Sequence, residues 1–137
     1  MEILDAALQG YLDNHCDPEP LGLQKINRDT HLKMLKANML SGHYQGRVLS
    51  MLSKMMQPKL ILEIGTFTGY SAICLAEGLA EGGILHTIEV NAEFEEMLNS
   101  HFESTNVDKK IKLHIGPAEA VIADLQENDF DIVFIDA

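Results

Sequence analysis

Two glycines four residues apart, Gly65 and Gly69, have the spacing of a turn that could hold a nucleoside cofactor. An apolar run, Leu60–Ile64, precedes the turn and is interrupted only by Glu63, and a helical pattern follows from Tyr70. Glycine allows the backbone to turn sharply and a ligand to approach it closely. A helix that starts there directs its free N–H groups and its positive dipole end at the turn. The stretch therefore predicts a strand, a glycine turn and a helix that together cradle a cofactor.

The residue types within the turn discriminate between cofactor classes. A dinucleotide fingerprint reads G-x-G-x-x-G, whereas Phe67 stands where the second glycine would be. A pyrophosphate needs bare backbone there, so NAD and FAD are disfavoured, and the sequence contains no G-x-x-x-x-G-K-[ST] phosphate loop. Glu63, just before the turn, suits a cationic or hydroxyl-bearing ligand such as an adenosyl sulfonium compound. An ordinary strand–turn–helix with a solvated loop is the alternative.

Three further predicted strand ends carry an acid. Glu89 follows Gly69 by twenty residues, the spacing at which a carboxylate accepts hydrogen bonds from ribose hydroxyls. Gly116 ends the third strand with Glu119 just beyond it, and Asp136 follows the fourth strand. Ligands of open parallel sheets bind beyond the carboxyl ends of the strands. These acids are therefore expected to converge on the glycine turn, although solvation alone can place any one of them at a strand end.

The elements that must position these residues alternate strictly from residue 58 onward. The apolar patterns predict strands at 60–64, 84–90, 111–115 and 130–135, and helices at 70–80, 92–104 and 118–126. Alternation of this kind implies right-handed crossovers and a parallel sheet, that is, an α/β fold. Before it, helical patterns cover 3–13, 21–36 and the stretch that Pro58 ends. We divide the chain into a helical segment, 1–57, that packs on the cofactor site, and an α/β core, 58–137.

Composition narrows the classes of function. A chain of 137 residues, 46% of them hydrophobic, can bury the core of one domain. Its net charge of −11 argues against a broad surface for nucleic acid or an anionic membrane. The apolar runs are too short to cross a membrane. The N-terminus lacks the charge pattern of a signal peptide, and Cys16 and Cys74 have no metal or disulfide spacing. A cytoplasmic location is the simplest expectation.

The fourth predicted strand ends almost at Ala137. A near-continuous apolar strand belongs inside a sheet, where neighbours pair with both of its edges. We therefore expect that these residues are the N-terminal part of a larger domain, or that a partner covers the open edge.

Four stretches together resemble a known family: LEIGTFTGYS at 62–71, TIE at 87–89, IGPAE at 115–119 and FDIVFIDA at 130–137. They are similar to the S-adenosylmethionine-dependent, cation-dependent O-methyltransferases of the catechol and caffeoyl-CoA type, which include small bacterial members. The resemblance covers essentially the whole chain. It implies a Rossmann-like α/β fold whose four strands are the N-terminal part of a seven-stranded sheet, and a homodimer as the common assembly.

The resemblance also implies a set of cofactor-binding positions. Met39 and Ser41 would close over the cofactor, and Glu89 would hold its ribose. The methionine tail would lie along the turn, with the Ser71 hydroxyl and backbone N–H groups on its carboxylate. The remaining positions are Glu63, Gly65, Phe67, Gly69 and Tyr70 at the turn, Gly116, Ala118 and Glu119 around the adenine, and Asp136 beside the amino group.

Asp136 also matches a metal-ligating aspartate of the family. A divalent cation, normally Mg²⁺, prefers oxygen ligands and would hold a small acceptor through two adjacent oxygens, one of which attacks the sulfonium methyl group. The family's basic catalytic residue and its other metal ligands come after this aspartate, so they would lie beyond Ala137 and the catalytic residue cannot be named. We accordingly expect the 137-residue chain alone not to methylate.

Two alternative functions stay open. Some bacterial relatives of this type methylate a modified tRNA base, an activity against which the net charge of −11 weighs. Retention on RNA that falls steeply with salt would favour it. A non-catalytic S-adenosylmethionine-binding module is the other, and it predicts ligand binding without metal-dependent turnover.

Overall fold

Ten helices and strands follow one another along residues 5–137, which the computed structural model describes. Their order confirms the predicted α/β class. Ile3 and Leu4, at the start of the helix predicted over 3–13, lie outside the described residues. The elements are α1 (Ala6–His15), α2 (Leu21–Lys33), α3 (Gly42–Met56), β1 (Leu60–Ile64), α4 (Tyr70–Ala76), β2 (Ile84–Glu89), α5 (Glu95–Ser104), β3 (Ile111–Ile115), α6 (Ala118–Asp124) and β4 (Ile132–Ile135), with single 3₁₀ turns at Ala37–Met39 and Ala92–Phe94.

The four strands form one parallel sheet in the order β3-β2-β1-β4. Ile61 of β1 pairs with Leu85 of β2 on one side and with Ile132 of β4 on the other. Because β1 is central and covered on both faces, its sequence reads as an apolar run. The glycine turn consequently starts in the middle of the sheet edge. Within the described part of the chain, β4 pairs with β1 alone.

Several predicted elements are longer than those observed. The helix predicted over 70–80 ends at Ala76, because the chain then tightens into turns held by the Gly78 N–H to Leu75 carbonyl and Leu79 N–H to Ala76 carbonyl bonds. A Cβ at Gly78 would lie 2.2 Å from the Ser53 carbonyl carbon, so only glycine lets the chain pass this close to α3. The helix predicted over 21–36 ends at Lys33.

The helices before the sheet pack on the core chiefly through the contact of α3 with α4. Cβ positions built at Gly46 of α3 would lie 2.7 Å from the Tyr70 ring and 2.8 Å from the Cys74 sulfur. The Arg47 guanidinium forms an ion pair of 2.7 Å with Glu77 just after α4. Helix α3 ends at a left-handed cap, Gln57, with φ 47°. Of the helices described, none is both long enough and apolar enough to cross a membrane.

Candidate cofactor site

A cleft of about 760 Å³ lies at the carboxyl ends of the strands. Its volume is within the usual range for a small-molecule site, and it lies where ligands of open parallel sheets bind. The predicted residues that line it are Met39, Gly65, Phe67, Glu89, Gly116, Ala118 and Asp136. The remaining lining residues are Lys33, Met34, Leu35, Lys36, Ile64, Ile88, Val90, Asn91, Glu93, Phe94 and Ala137.

Both glycines of the turn adopt backbone conformations that favour glycine. Gly65 has φ +99°, and a Cβ there would lie 2.4 Å from the Asp136 carbonyl oxygen. Gly69 has φ +85°, and a Cβ there would lie 2.8 Å from the Phe102 ring. Gly65 therefore lets the ends of β1 and β4 meet at the cleft. Gly69 instead lets the turn pack on α5, and it does not line the cleft.

Phe67 occupies the left-handed region at φ +51°, which is unusual for a bulky side chain. Such a residue costs on the order of 1–3 kcal/mol and persists only where its surroundings hold it. Here its N–H donates to the Glu89 carboxylate at 2.9 Å, and its ring meets the Phe94 ring edge-on at a centroid distance of 6.1 Å. Contacts within the chain therefore hold the turn in this shape.

Glu89, at the end of β2, is only 7% exposed. One carboxylate oxygen accepts the Phe67 N–H and the other accepts the Asn91 N–H, each at 2.9 Å. A carboxylate offers about four lone-pair sites, so each oxygen retains acceptor capacity toward the cleft. Two adjacent hydroxyl groups are the ligand chemistry that such a fixed pair of acceptors fits.

Glu63 and Ser71, two of the predicted cofactor-binding residues, form a network beneath the turn and do not line the cleft. Glu63 is fully buried and accepts hydrogen bonds of 2.5 Å from the Ser71 and Thr87 hydroxyls. The Thr87 and Thr66 hydroxyl oxygens are 2.6 Å apart. Burial raises the pKa of Glu63 to about 7, despite the two hydrogen bonds and with help from the charges of Asp136 and Glu89. The Ser71 hydroxyl is therefore already engaged.

Three more predicted residues lie outside the cleft. Tyr70 is buried, and its hydroxyl donates to Glu19, because α4 turns this side chain toward the N-terminal helices. Ser41 is half-buried before α3. Glu119 is exposed in the first turn of α6, where solvation and the helix dipole are sufficient reasons for an acid.

The structure adds lining residues that the sequence patterns missed. Lys33, Met34, Leu35 and Lys36 also line the cleft, at and just after the end of α2 at Lys33. The helix predicted through residue 36 gave no sign of this lining. Phe94 and its neighbours follow Glu89 by only a few residues, so proximity to that strand end was the signal that could have found them.

Asp136, the predicted metal ligand, is an exposed residue at the edge of the cleft. Mg²⁺ requires about six oxygen ligands. Across residues 5–137, no group of three or more histidine, cysteine or acidic side chains is arranged to hold a metal ion. The described residues therefore do not by themselves fit a complete cation site.

A family model described as O-methyltransferase matches residues 13–137. The chain belongs to the O-methyltransferase family. It is 33% identical over 139 residues to caffeoyl-CoA O-methyltransferase 1 of Zea mays, covering 97% of this chain and 54% of that protein. It is 34% identical over 93 residues to a catechol O-methyltransferase of Mycobacterium tuberculosis, covering 68% of this chain and 42% of that protein.

Structural similarity places the fold in the same family. The O-methyltransferase TomG from Streptomyces achromogenes, solved in complex with SAM, superposes with a TM-score of 0.86 at 32% identity, covering 96% of this chain and 60% of TomG. The Rossmann-like fold predicted from the sequence is thus confirmed. The chain spans about half the length of the curated relatives it matches, for example 37% of one and 56% of another.

Proposed function

We propose that the cleft binds S-adenosylmethionine, and that the protein transfers its methyl group to a hydroxyl of a small catechol-like or phenolic acceptor. The observation that carries the proposal is the Glu89 carboxylate, fixed by two backbone N–H groups at the end of β2. An adenosyl ribose presents two adjacent hydroxyls, which match these two oxygens. The solved complex of TomG with SAM supports the choice of cofactor.

The cleft offers a complementary surface to each part of this cofactor. Gly116 and Ala118 would border the adenine end, Glu89 would take the ribose, and the backbone of Gly65 and Phe67 would lie along the methionine tail. All five of these residues line the cleft. The Asp136 carboxylate would face the cationic amino group. Glu63, Ser71 and Tyr70 act beneath the surface in this arrangement, because their polar atoms already have partners.

The bound cofactor would supply an electrophilic methyl group on a sulfonium. The contribution of this chain is orientation, which alone can lower a barrier by several kcal/mol when the reacting atoms are held in line. Glu89 and the turn would fix the nucleoside, and Asp136 would fix the amino acid tail. The half-buried Phe67 and the exposed Met39 would shield the methyl group from water.

A divalent cation at Asp136 stays part of the proposal on the strength of the family resemblance alone. Because the described residues do not complete a cation site, no step of the chemistry above is routed through a metal. The homodimer and the cytoplasmic location are likewise proposals. Sedimentation of the purified protein tests the first, and fractionation of the producing cells tests the second.

Calorimetric titration with S-adenosylhomocysteine, with NAD as the comparison ligand, tests the cofactor assignment. We expect saturable binding of S-adenosylhomocysteine alone. Glu89→Ala should weaken it by at least tenfold, the equivalent of about 1.4 kcal/mol, because two charge-assisted hydrogen bonds are lost. Glu103→Ala, which removes an exposed acid of α5 outside the cleft, is the control and should leave the affinity unchanged. Absence of binding in a folded sample, or equal losses in the two variants, would refute the assignment.

A further inference from the structure

Two histidines stack on the sheet outside the cofactor cleft. His86 on β2 is 2% exposed, and its ring lies parallel to that of His114 on β3, with centroids 5.2 Å apart and planes inclined by 10°. Their nitrogens His86 Nδ1 and His114 Nε2 are 2.9 Å apart. A hydrogen bond between imidazole nitrogens needs one N–H and one bare nitrogen. The bond therefore cannot persist when both rings are protonated.

The connection from α6 to β4, residues 125–131, covers this pair and is called the crossover segment below. Its Phe130 ring meets the His86 ring edge-on at a centroid distance of 6.0 Å. Its Glu127 carboxylate is 3.8 Å from His86 Nε2, which is too far for a hydrogen bond. Among the described residues, that buried nitrogen has no hydrogen-bond partner. The histidine pair is thus a direct packing surface for the crossover segment.

Burial opposes protonation of the pair, and the charges around it act in both directions. Burial lowers the pKa of both rings, Lys112 on β3 lowers it further, and Glu127 on the crossover segment acts in the other direction. Both rings are therefore neutral in the fold at neutral pH. The unfolded chain takes up protons near the ordinary histidine pKa of about 6.5. The contribution of the pair to stability is thus complete above that pH and is lost as the pH falls.

We propose that His86 and His114 form an acid-sensitive latch, which holds the crossover segment on the sheet at neutral pH and releases it when both rings carry a proton. Two imidazolium groups would then face each other at hydrogen-bond distance on a buried surface. The released segment leads directly into β4, whose carboxyl end brings Asp136 to the cleft. Acidification would thereby loosen one wall of the cofactor site.

Hydrogen exchange at neutral pH and at about pH 5, corrected for intrinsic rates, tests the latch. In the native sequence, protection of the crossover segment relative to β1 should fall about tenfold for each unit by which folding lowers the histidine pKa. In His114→Gln this selective loss should shrink to about the square root of the native factor, because one of the two protonations is absent while that of the buried His86 remains. His31→Gln removes an exposed histidine of α2 and should behave as the native protein. Equal losses in the native protein and His114→Gln would overturn the proposal.

Nitrogen-detected NMR of the imidazole rings gives an independent readout on the unaltered chain. While the segment stays folded, we expect the two neutral rings to take up no more than one additional proton between them. Hydrogen exchange of the crossover segment should rise at the pH at which the second additional proton binds. If both rings protonate while the segment stays protected, there is no latch. Because this measurement needs no substitution, a variant that fails to fold leaves the test intact.

Discussion

The carboxyl group of Glu63 is buried between two hydroxyl donors, Ser71 and Thr87, and carries its proton at acidic pH in the fold. Burial raises its pKa to about 7, above the value of about 4.3 in an unfolded chain. The folded state thus binds more protons than the unfolded state between these values, so ionisation of Glu63 destabilises the fold as the pH rises.

Glu63→Gln should remove this dependence. The native protein is expected to lose stability on the order of 3 kcal/mol through Glu63 between about pH 4 and pH 8. The variant should lack that loss, because glutamine keeps an acceptor for the hydroxyls and does not ionise. Urea unfolding across this pH range measures the difference. Glu81→Gln, at an exposed position, is the control, and parallel pH profiles for the native protein and Glu63→Gln would contradict the assignment.

Gly65 is the residue on which the contact between β1 and β4 depends. Alanine there would combine an unfavourable φ of +99° with a Cβ 2.4 Å from the Asp136 carbonyl oxygen. We expect Gly65→Ala to cost at least about 3 kcal/mol, from strain and overpacking together, and to abolish S-adenosylhomocysteine binding. Gly82→Ala shares the positive φ but meets open space, so it should cost only about 1 kcal/mol. Unfolding free energies that are equal for the two variants would be incompatible with this contact.

At the scale of elements, two ion pairs join α3 to Glu77, the residue after α4. The Glu77 carboxylate accepts hydrogen bonds from Arg47, Ser50 and Lys54. Burial alone would raise its pKa, but these donors lower it to about 2. The stabilisation is therefore present above the ordinary glutamate pKa and is lost as the pH falls toward 2.

Glu77→Gln should lower the free energy of unfolding by about 2 kcal/mol, because it leaves the half-buried Arg47 without a counter-charge. This cost is below that of breaking a fully buried pair, since solvent screens part of the charge. Lys54→Gln removes the exposed partner and should cost less than about 1 kcal/mol. Urea unfolding at neutral pH compares the two. A loss for Lys54→Gln as large as that for Glu77→Gln would show that the α3–α4 contact does not depend on the buried member of the cluster.

The elements that the sequence predicted well are those whose signal is local. Leu60–Ile64 is apolar apart from Glu63, because this strand lies inside the sheet. Glu89 is the last residue of β2, as its spacing of twenty residues from Gly69 indicated. Side-chain direction was not predictable in this way. Ser71 turns to Glu63 because both lie under the turn, and Lys36 reaches the cleft because α2 ends at Lys33. Such placements depend on neighbouring elements that are distant in sequence.

At the scale of the whole molecule, 21 acidic residues face 10 basic ones, for a net charge of −11. Self-repulsion of this size destabilises a compact state, and salt screens it because the Debye length falls from about 10 Å at 0.1 M to about 3 Å at 1 M. We expect the thermal midpoint at neutral pH to rise by a few degrees between low salt and about 0.5 M NaCl, since about 1 kcal/mol corresponds to several degrees in a domain of this size. The Arg47–Glu77 pair loses little under the same conditions, because it is partly desolvated.

Differential scanning calorimetry measures the midpoint, and a variant with several exposed acids changed to glutamine should show a smaller rise. A midpoint that falls with salt would mean that attractive surface pairs outweigh the excess of negative charge.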